Sequence, residues 1–272
     1  MPSIDLDALR RWSQTLGDQI GDPQAFAAAL RGQFESHSNR LLRRGPSLAR
    51  RGALPSWNVP AAMLNEIEAA ILPRAARQPE AALRLADHLW AIPSLEEKSL
   101  AARLLEAAAR PEASHMRLAR WVVETPDPAL HAALARHAAR PVRNESPDLF
   151  RQEILAWLGG RSLAVRRFAW LALREWMDEA PSPAALLALE VLTLGMRDND
   201  PECVRSSQAL FAQVAASQPA ELLRWVDDLP DRDAQFIGRR WRRGTLAGLP
   251  SEIRDAIRTR TAPDEIGVRR EG

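Results

Sequence analysis

The stretch that decides the fold is LFRQEILAWLGGRSLAVRRFAWLALREWM, residues 149–177. Its apolar residues recur every three or four positions on both sides of a Gly159–Gly160 pair, which predicts two helices joined by a tight turn. We expect each helix to bury one apolar stripe: Phe150, Ile154, Trp157 and Leu158 in the first, then Val165, Phe168, Ala169, Ala172 and Trp176 in the second. The chain therefore contains at least one antiparallel helix pair.

Prolines mark where the other helices begin. Proline is tolerated in the first helical turn and excluded from the helix interior, and several prolines here follow a residue that caps helices well, as in Asp22–Pro23 and Asp127–Pro128. The predicted helices span residues 3–16, 23–36, 61–74, 79–90, 95–109, 111–124, 128–140, 147–158, 162–178, 183–195, 201–216, 219–227, 233–246 and 251–260. No stretch has the alternating pattern of a strand.

Many helices of similar length with short connections are typical of an all-α solenoid. We expect stacked antiparallel helix pairs forming one domain over residues 1–260, with residues 261–272 as a flexible tail. Because no strict sequence period is visible, the repeats must be degenerate, like those of HEAT-type arrays.

Composition excludes several classes of protein. Of the 272 residues, 46% are hydrophobic and 26% are charged, which suits a packed core and argues against wholesale disorder. No apolar run is long enough for a membrane span, the N-terminus lacks an apolar leader core, and the single cysteine, Cys203, cannot form an intramolecular disulfide. These features predict a soluble cytoplasmic protein. The net charge is only +2, so a nucleic-acid site must depend on local basic patches.

Four segments resemble the AlkD-like alkylpurine DNA glycosylases, a family of DNA alkylation repair proteins. They are AALRLADHLWAIPSLEEKSLAARLLEAAA (81–109), the opening stretch with its Trp157 and Arg166–Arg167, VRSSQALFAQVAASQPAELLRWV (204–226) and WNVPAAMLNEI (57–67). Together they cover about residues 55–230. The resemblance implies a C-shaped α-solenoid built from HEAT-like repeats, with a basic concave groove that holds duplex DNA.

The chain departs from that family at the catalytic positions. Active members carry a Trp-Asp-x-x-Asp run whose second Asp is the catalytic carboxylate, and counting back from Arg167 without a gap places that Asp on Ala132. A further aromatic position falls near Ala209. Loss of a preorganised charge at a reacting centre commonly lowers the rate by about 10²–10³. The nearest carboxylate is Asp127, which reads first as the N-cap of the helix that starts at Pro128 and only second as a catalytic group.

Candidate DNA-binding residues are arginines around the opening stretch and one tryptophan: Arg161, Arg166, Arg167, Arg205 and Trp90. Guanidinium groups bind phosphate oxygens in a planar, bidentate manner, and each neutralised phosphate adds salt-dependent affinity. The alternative is that Arg166 and Arg167 pair with acids on a solvated face, with Glu175, Asp178 and Glu202 as the candidate partners. For Trp90, the alternative is packing between repeats.

Two other basic clusters carry no firm assignment. RLLRRGPSLARR (40–51) is either a DNA-contacting loop or a solvated segment, and RRWRR (239–243) is either a backbone-tracking site or a terminal helix around a core Trp241. The histidines, among them His131 and His137, lack the spacing of metal ligands, so we expect no metal and no cofactor.

Two functions from different classes fit this sequence. The first is a protein that binds duplex DNA through its phosphates and has doubtful base-excision activity; whether it is an enzyme stays open. The second is a scaffold that binds a protein partner on the face of a solenoid. DNA binding requires the arginines to lie on one face that is not covered by acids.

Overall fold

The computed structural model of the chain describes residues 5–38, 54–125, 127–234 and 249–261. Within these ranges every regular element is helical, which confirms the all-α prediction. Contacts divide the chain into two compact units, Met1–Phe150 and Arg151–Gly272. That the chain forms one C-shaped solenoid domain over residues 1–260 stays a prediction.

The first unit contains eight described helices and part of a ninth. They are α1 (Leu6–Gly17), α2 (Pro23–His37), α3 (Ala61–Arg77), α4 (Pro79–Ala91), α5 (Leu95–Ala108), α6 (Pro111–Glu124), α7 (Pro128–Ala133), α8 (Arg140–Glu145) and the start of α9 (Pro147–Gly159), with a π-helical turn (Leu134–Ala138) between α7 and α8. Helices α1, α3 and α5 pack side by side, α2 packs on α4, and α4 pairs with α5. This two-row stacking of neighbouring pairs is the packing of a solenoid.

The second unit repeats the arrangement. Its helices are the rest of α9, α10 (Leu163–Glu179), α11 (Pro181–Met196), α12 (Pro201–Ser217), α13 (Pro219–Asp228) and α14 (Ser251–Thr261). Helix α10 packs beside α12, α11 packs on both α10 and α12, and α13 packs on α14. No helix in the described part of the chain is long and apolar enough to cross a membrane.

The opening stretch folds as its pattern predicts. Helix α9 ends at Gly159, and α10 begins after Ser162, whose hydroxyl accepts a hydrogen bond from the Val165 N–H. All nine residues of the two predicted stripes are buried. The Trp157 ring meets the Phe168 ring edge to face, with centroids 5.2 Å apart, and this contact fixes the two helices against each other.

The π-helical turn and α8 are the main departure from the sequence prediction, which placed a single helix over residues 128–140. Pro141 has no N–H to continue the helical ladder, and the π turn widens the helix, with the Ala139 N–H donating to the Leu134 carbonyl. The fully buried Arg143 supplies donors instead, from Nη1 to the Ala135 carbonyl at 2.6 Å. The buried guanidinium of Arg143 therefore allows the helix to continue beyond Pro141.

Candidate nucleic-acid interface

Asp127 caps helix α7 and is 7% exposed. Its Oδ1 accepts hydrogen bonds from the N–H groups of Ala129 (2.9 Å) and Leu130 (3.4 Å). Its Oδ2 accepts another from the N–H of Leu54, at 3.0 Å. Both carboxylate oxygens are thus engaged by the backbone, and Asp127 anchors the segment that precedes α3 to the start of α7.

Trp90 is buried at the end of α4, with 4% of its surface exposed. Its ring stacks on that of Trp121 from α6, with centroids 4.1 Å apart and planes within 6° of parallel. Its Nε1 donates to Glu124 Oε2 at 2.7 Å, and the Lys98 ammonium lies 4.3 Å from the ring centroid. Trp90 therefore packs between helices, and its contact with DNA stays a prediction.

Two acids at the start of α5 were not singled out from the sequence. Glu96 accepts from the Ser56 hydroxyl (2.7 Å) and the Asn58 N–H (2.9 Å), and Glu97 accepts from Trp57 Nε1 (3.0 Å). Both carboxylates are buried. The signal in the sequence is the capping-box pattern S-x-x-E, which begins at Ser94, although here the acid binds an indole instead of the backbone N–H of the cap. These acids hold the segment before α3 in place.

In the second unit, Arg161 precedes α10 and is exposed. Its guanidinium has no carboxylate partner within the described ranges. Arg166, one turn into α10, is different: it donates to Asp198 Oδ2 at 2.9 Å and to the carbonyls of Gly160 and Arg161, both at 3.1 Å. The hydrogen bond to Asp198 is the main reason that the pKa of Arg166 is raised. Arg166 thereby closes the turn between α9 and α10.

Arg167 forms a bidentate ion pair with Asp200, through Nε (3.0 Å) and Nη2 (2.6 Å). The hydrogen bond from Arg167 is the main cause of a lowered Asp200 pKa, so this carboxylate stays ionised. Asp200 also caps α12 by accepting from the Cys203 N–H. Burial raises the pKa of the Cys203 thiol to about 12, so the thiol stays protonated. Arg167 is nevertheless 45% exposed.

Arg205, on α12, pairs with Glu202 three residues earlier and is 66% exposed. Such an exposed pair within one helix holds its partners weakly. The name "arginine cluster" is used below for Arg161, Arg166, Arg167 and Arg205. Three of its four members are ion-paired, and the acids that pair with Arg166 and Arg167 are Asp198 and Asp200, not the Glu175, Asp178 and Glu202 considered from the sequence.

A family model described as DNA alkylation repair enzyme matches residues 36–240. The chain belongs to this family. The match contains the whole of residues 55–230, on which the resemblance in sequence depends, and it confirms that assignment. No curated protein and no solved structure gives a significant match.

For a DNA alkylation repair protein, the charge around the arginine cluster is modest. Four arginines face three acids, Asp198, Asp200 and Glu202, so the cluster carries a net charge of +1. The members of the cluster have the same charge but differ in side-chain exposure. Arg166 is 21% exposed, Arg167 is 45% exposed and Arg205 is 66% exposed.

The remaining sequence candidates in this family member fall in two groups. The basic segments 40–51 and 239–243 lie outside the described residues. His137 lies in the first unit, where its Nδ1 is 2.8 Å from Glu106, and His131 is buried. Within the described ranges, no group of three or more His, Cys, Asp or Glu residues is placed to hold a metal ion.

Proposed function

We propose that this member of the DNA alkylation repair family binds duplex DNA, with Arg161, Arg167 and Arg205 contacting phosphates, and that it has little or no base-excision activity. The observation that carries the proposal is Arg161, an exposed guanidinium without a carboxylate partner in the described part of the chain, together with one exposed arginine on each of α10 and α12, which pack side by side. Contacts to phosphates position a protein on DNA without reading its sequence.

The ion pairs of Arg167 and Arg205 do not prevent this role. Both partners of the Arg205 pair are exposed, and such a pair contributes about 0–1 kcal/mol, so exchange of its carboxylate for a phosphate is inexpensive. The bidentate pair of Arg167 uses Nε and Nη2, which leaves the donors of Nη1 for a ligand. Arg166 is excluded from the proposed contacts because it is only 21% exposed and binds two carbonyls as well as Asp198.

The doubtful base excision follows from the state of the candidate acid. Cleavage of the glycosidic bond of an alkylated purine develops positive charge on the sugar, and a carboxylate aimed at that charge stabilises it. Asp127 is nearly buried, and both of its oxygens accept backbone N–H groups. A carboxylate committed to a helix cap is poorly placed to orient water or to face a sugar.

A gel-shift salt series with a short DNA duplex tests the proposal, and the chain offers a matched pair of variants. Arg205 and Arg224 are exposed to the same extent, 66% and 67%, and each pairs with a glutamate three residues earlier. Three phosphate contacts predict a slope of log K against log salt of roughly −3, and loss of one contact changes the slope by about 1. We expect Arg205→Ala and Arg161→Ala to show that change and Arg224→Ala to show none.

Two results contradict the proposal. If the wild-type protein does not bind duplex DNA below physiological salt, the DNA-binding part is wrong. If the wild-type protein releases 7-methylguanine or 3-methyladenine rapidly from methylated DNA, and Asp127→Asn abolishes the release in a folded protein, the catalytic part is wrong.

One observation favours the alternative of a protein-binding scaffold. Leu186 and Leu194 on α11 are 63% and 47% exposed, although leucines of this size usually pack inside a domain. The variant Leu186→Ser/Leu194→Ser separates the alternatives, because it leaves the arginine cluster intact. DNA binding by this variant at wild-type strength supports the DNA proposal, whereas a chain that never binds DNA favours the scaffold.

A further inference from the structure

Lys98 is the only lysine among the 37 basic residues of the chain. Every other cation of that set is an arginine, whose guanidinium stays protonated at any pH that a folded protein meets. Of lysine and arginine, only lysine has a side chain that can lose its proton near neutral pH, when burial lowers its pKa, and then act as a nucleophile. Lys98 is therefore the single side chain of this protein that can react as a primary amine.

The surroundings form a cluster at one end of three helices of the first unit, which we call the Lys98 cluster: Lys98, Trp90, Trp121 and Glu124. Lys98 lies in the first turn of α5, half-buried, with its ammonium over the Trp90 ring and donating to the Trp90 carbonyl. Glu124 binds the other edge of that ring through Nε1 and is 46% exposed. A half-buried amine and an accessible carboxylate thus lie beside a pair of buried tryptophans.

The charges around the amine are few. Burial lowers the pKa of Lys98, and the charge of Glu124 opposes that effect only in part. Glu124 is itself shared with Arg120, 3.6 Å away. The neighbouring acids Glu96 and Glu97 are bound to the segment before α3. A lysine so placed has a larger fraction of free amine near neutral pH than a fully exposed lysine has.

We propose that Lys98 forms an imine with the aldehyde of an abasic sugar in duplex DNA, a step that rests on the proposed DNA binding. Loss of a base leaves a sugar that opens to a free aldehyde at C1′. The unprotonated Nζ attacks C1′, so that the C–N bond forms as the π bond of the aldehyde breaks. The oxygen takes up a proton from solvent and the nitrogen releases one, which gives a carbinolamine. Loss of water from the carbinolamine then yields the protonated imine.

Glu124 is the group that transfers protons during imine formation. Its carboxylate can accept the proton that the attached amine releases and return it to the departing hydroxyl, so that the net change is one aldehyde, one amine and one proton from solvent converted into one protonated imine and one water. Trp90 is the positioning residue, since its ring and its carbonyl hold the amine in place. These reaction steps consume no oxidant and no cofactor.

Borohydride trapping tests the proposal, because borohydride reduces an imine to a stable amine and so links the protein covalently to DNA. The substrate is a duplex with one natural abasic site, and the control is the same duplex with a tetrahydrofuran analogue, which has no aldehyde. We expect a cross-link of the wild-type protein with the natural site only, and loss of that cross-link in Lys98→Arg, which keeps the cation over Trp90.

The location of the adduct is read on the wild-type protein, so the test does not depend on the folding of a variant. Peptide mass mapping distinguishes Lys98 from the N-terminal amine, the other primary amine of the chain. An adduct at Lys98 supports the proposal, whereas an adduct at the N-terminus alone overturns it.

Binding measured in parallel separates this inference from the proposed function. If gel shifts show that both duplexes bind while borohydride traps nothing, imine formation is excluded and DNA binding stands. If neither duplex binds, the proposed function fails and the inference fails with it.

Discussion

The two units place their charged side chains in different surroundings. In the first unit, Glu97 and Asp127 at the starts of α5 and α7 are buried, and N–H donors of an indole and of the backbone surround them. In the second unit, Arg167 and Arg205 on α10 and α12 are 45% and 66% exposed and face single carboxylates.

The difference separates groups that hold the fold from groups that can exchange partners. A buried acceptor that loses its donors carries the full desolvation penalty, whereas an exposed ion pair is nearly neutral in free energy. We therefore expect the acids of the first unit to govern stability and the exposed arginines of the second unit to govern binding. The predictions below test that division.

The largest expected effect is that of Asp127→Ala. The change removes the cap of α7 and leaves the partly buried N–H of Leu54 without its acceptor. Cap loss costs about 1–2 kcal/mol and an unsatisfied donor in a partly buried position about 1 kcal/mol, so we expect the free energy of unfolding to fall by roughly 2–3 kcal/mol. Urea unfolding followed by tryptophan fluorescence measures it.

Asp22→Ala is the matched control for that change. Asp22 also precedes a proline and caps its helix, α2, but it accepts only from the Ala25 N–H and is exposed. We expect a loss of about 1 kcal/mol there. Equal losses in the two variants would show that the Leu54 contact contributes nothing and that Asp127 is free for another role.

The next effect concerns pH and a charged network in the first unit. Burial alone would raise the pKa of Glu106, but hydrogen bonds from His137 and Arg140, and the charges of His137 and Arg103, outweigh it and hold the pKa at about 2. Because the folded pKa lies below the ordinary value of 4.5, this stability is complete above that value and is lost as the pH falls towards 2.

The shift corresponds to about 3 kcal/mol, which we reduce to about 2 kcal/mol because solvent screens a cluster that is partly exposed. We expect unfolding free energies measured from about pH 6 down to about pH 2 to show this loss in the wild-type protein and a smaller loss in Glu106→Gln. A wild-type profile identical to that of Glu106→Gln would mean that the network does not stabilise the fold.

The sequence determined the helices well because proline and capping residues act locally. Helices α2, α4, α6, α7 and α9 each begin at the proline that the sequence indicated. Helix α8 was missed because its continuation past Pro141 depends on Arg143, whose guanidinium reaches carbonyls seven and eight residues earlier. That compensation is a packing effect, and no local pattern of residues reveals it.

The candidate site was predicted less well, because its partners lie one repeat away. Arg166 and Arg167 pair with acids 32 and 33 residues downstream, and Arg103 in the first unit pairs with Glu68, 35 residues upstream. These separations are about as long as one helix pair with its connections. That length cannot be seen in the sequence because the repeats are degenerate. Because no period is visible, the sequence around Arg167 points to Glu175, Asp178 and Glu202 as partners and not to Asp198 and Asp200.

The smallest expected effect is a difference between two adjacent arginines of the second unit, Arg166 and Arg167, in what their removal does to stability and to DNA binding. Arg166→Ala removes a 21% exposed guanidinium that binds Asp198 and two carbonyls, and we expect a loss of about 1.5 kcal/mol in unfolding free energy with little change in the salt slope of DNA binding. Arg167→Ala breaks an ion pair in which the arginine is 45% exposed and Asp200 is 10% exposed, so we expect a smaller loss, about 1 kcal/mol, and a salt slope smaller by about 1. Urea unfolding and the gel-shift salt series on the same two proteins measure both quantities. If Arg166→Ala changes DNA binding more than Arg167→Ala does while both remain folded, exposure does not decide which arginine binds phosphate, and the division between structural and exchangeable groups fails within a single helix turn.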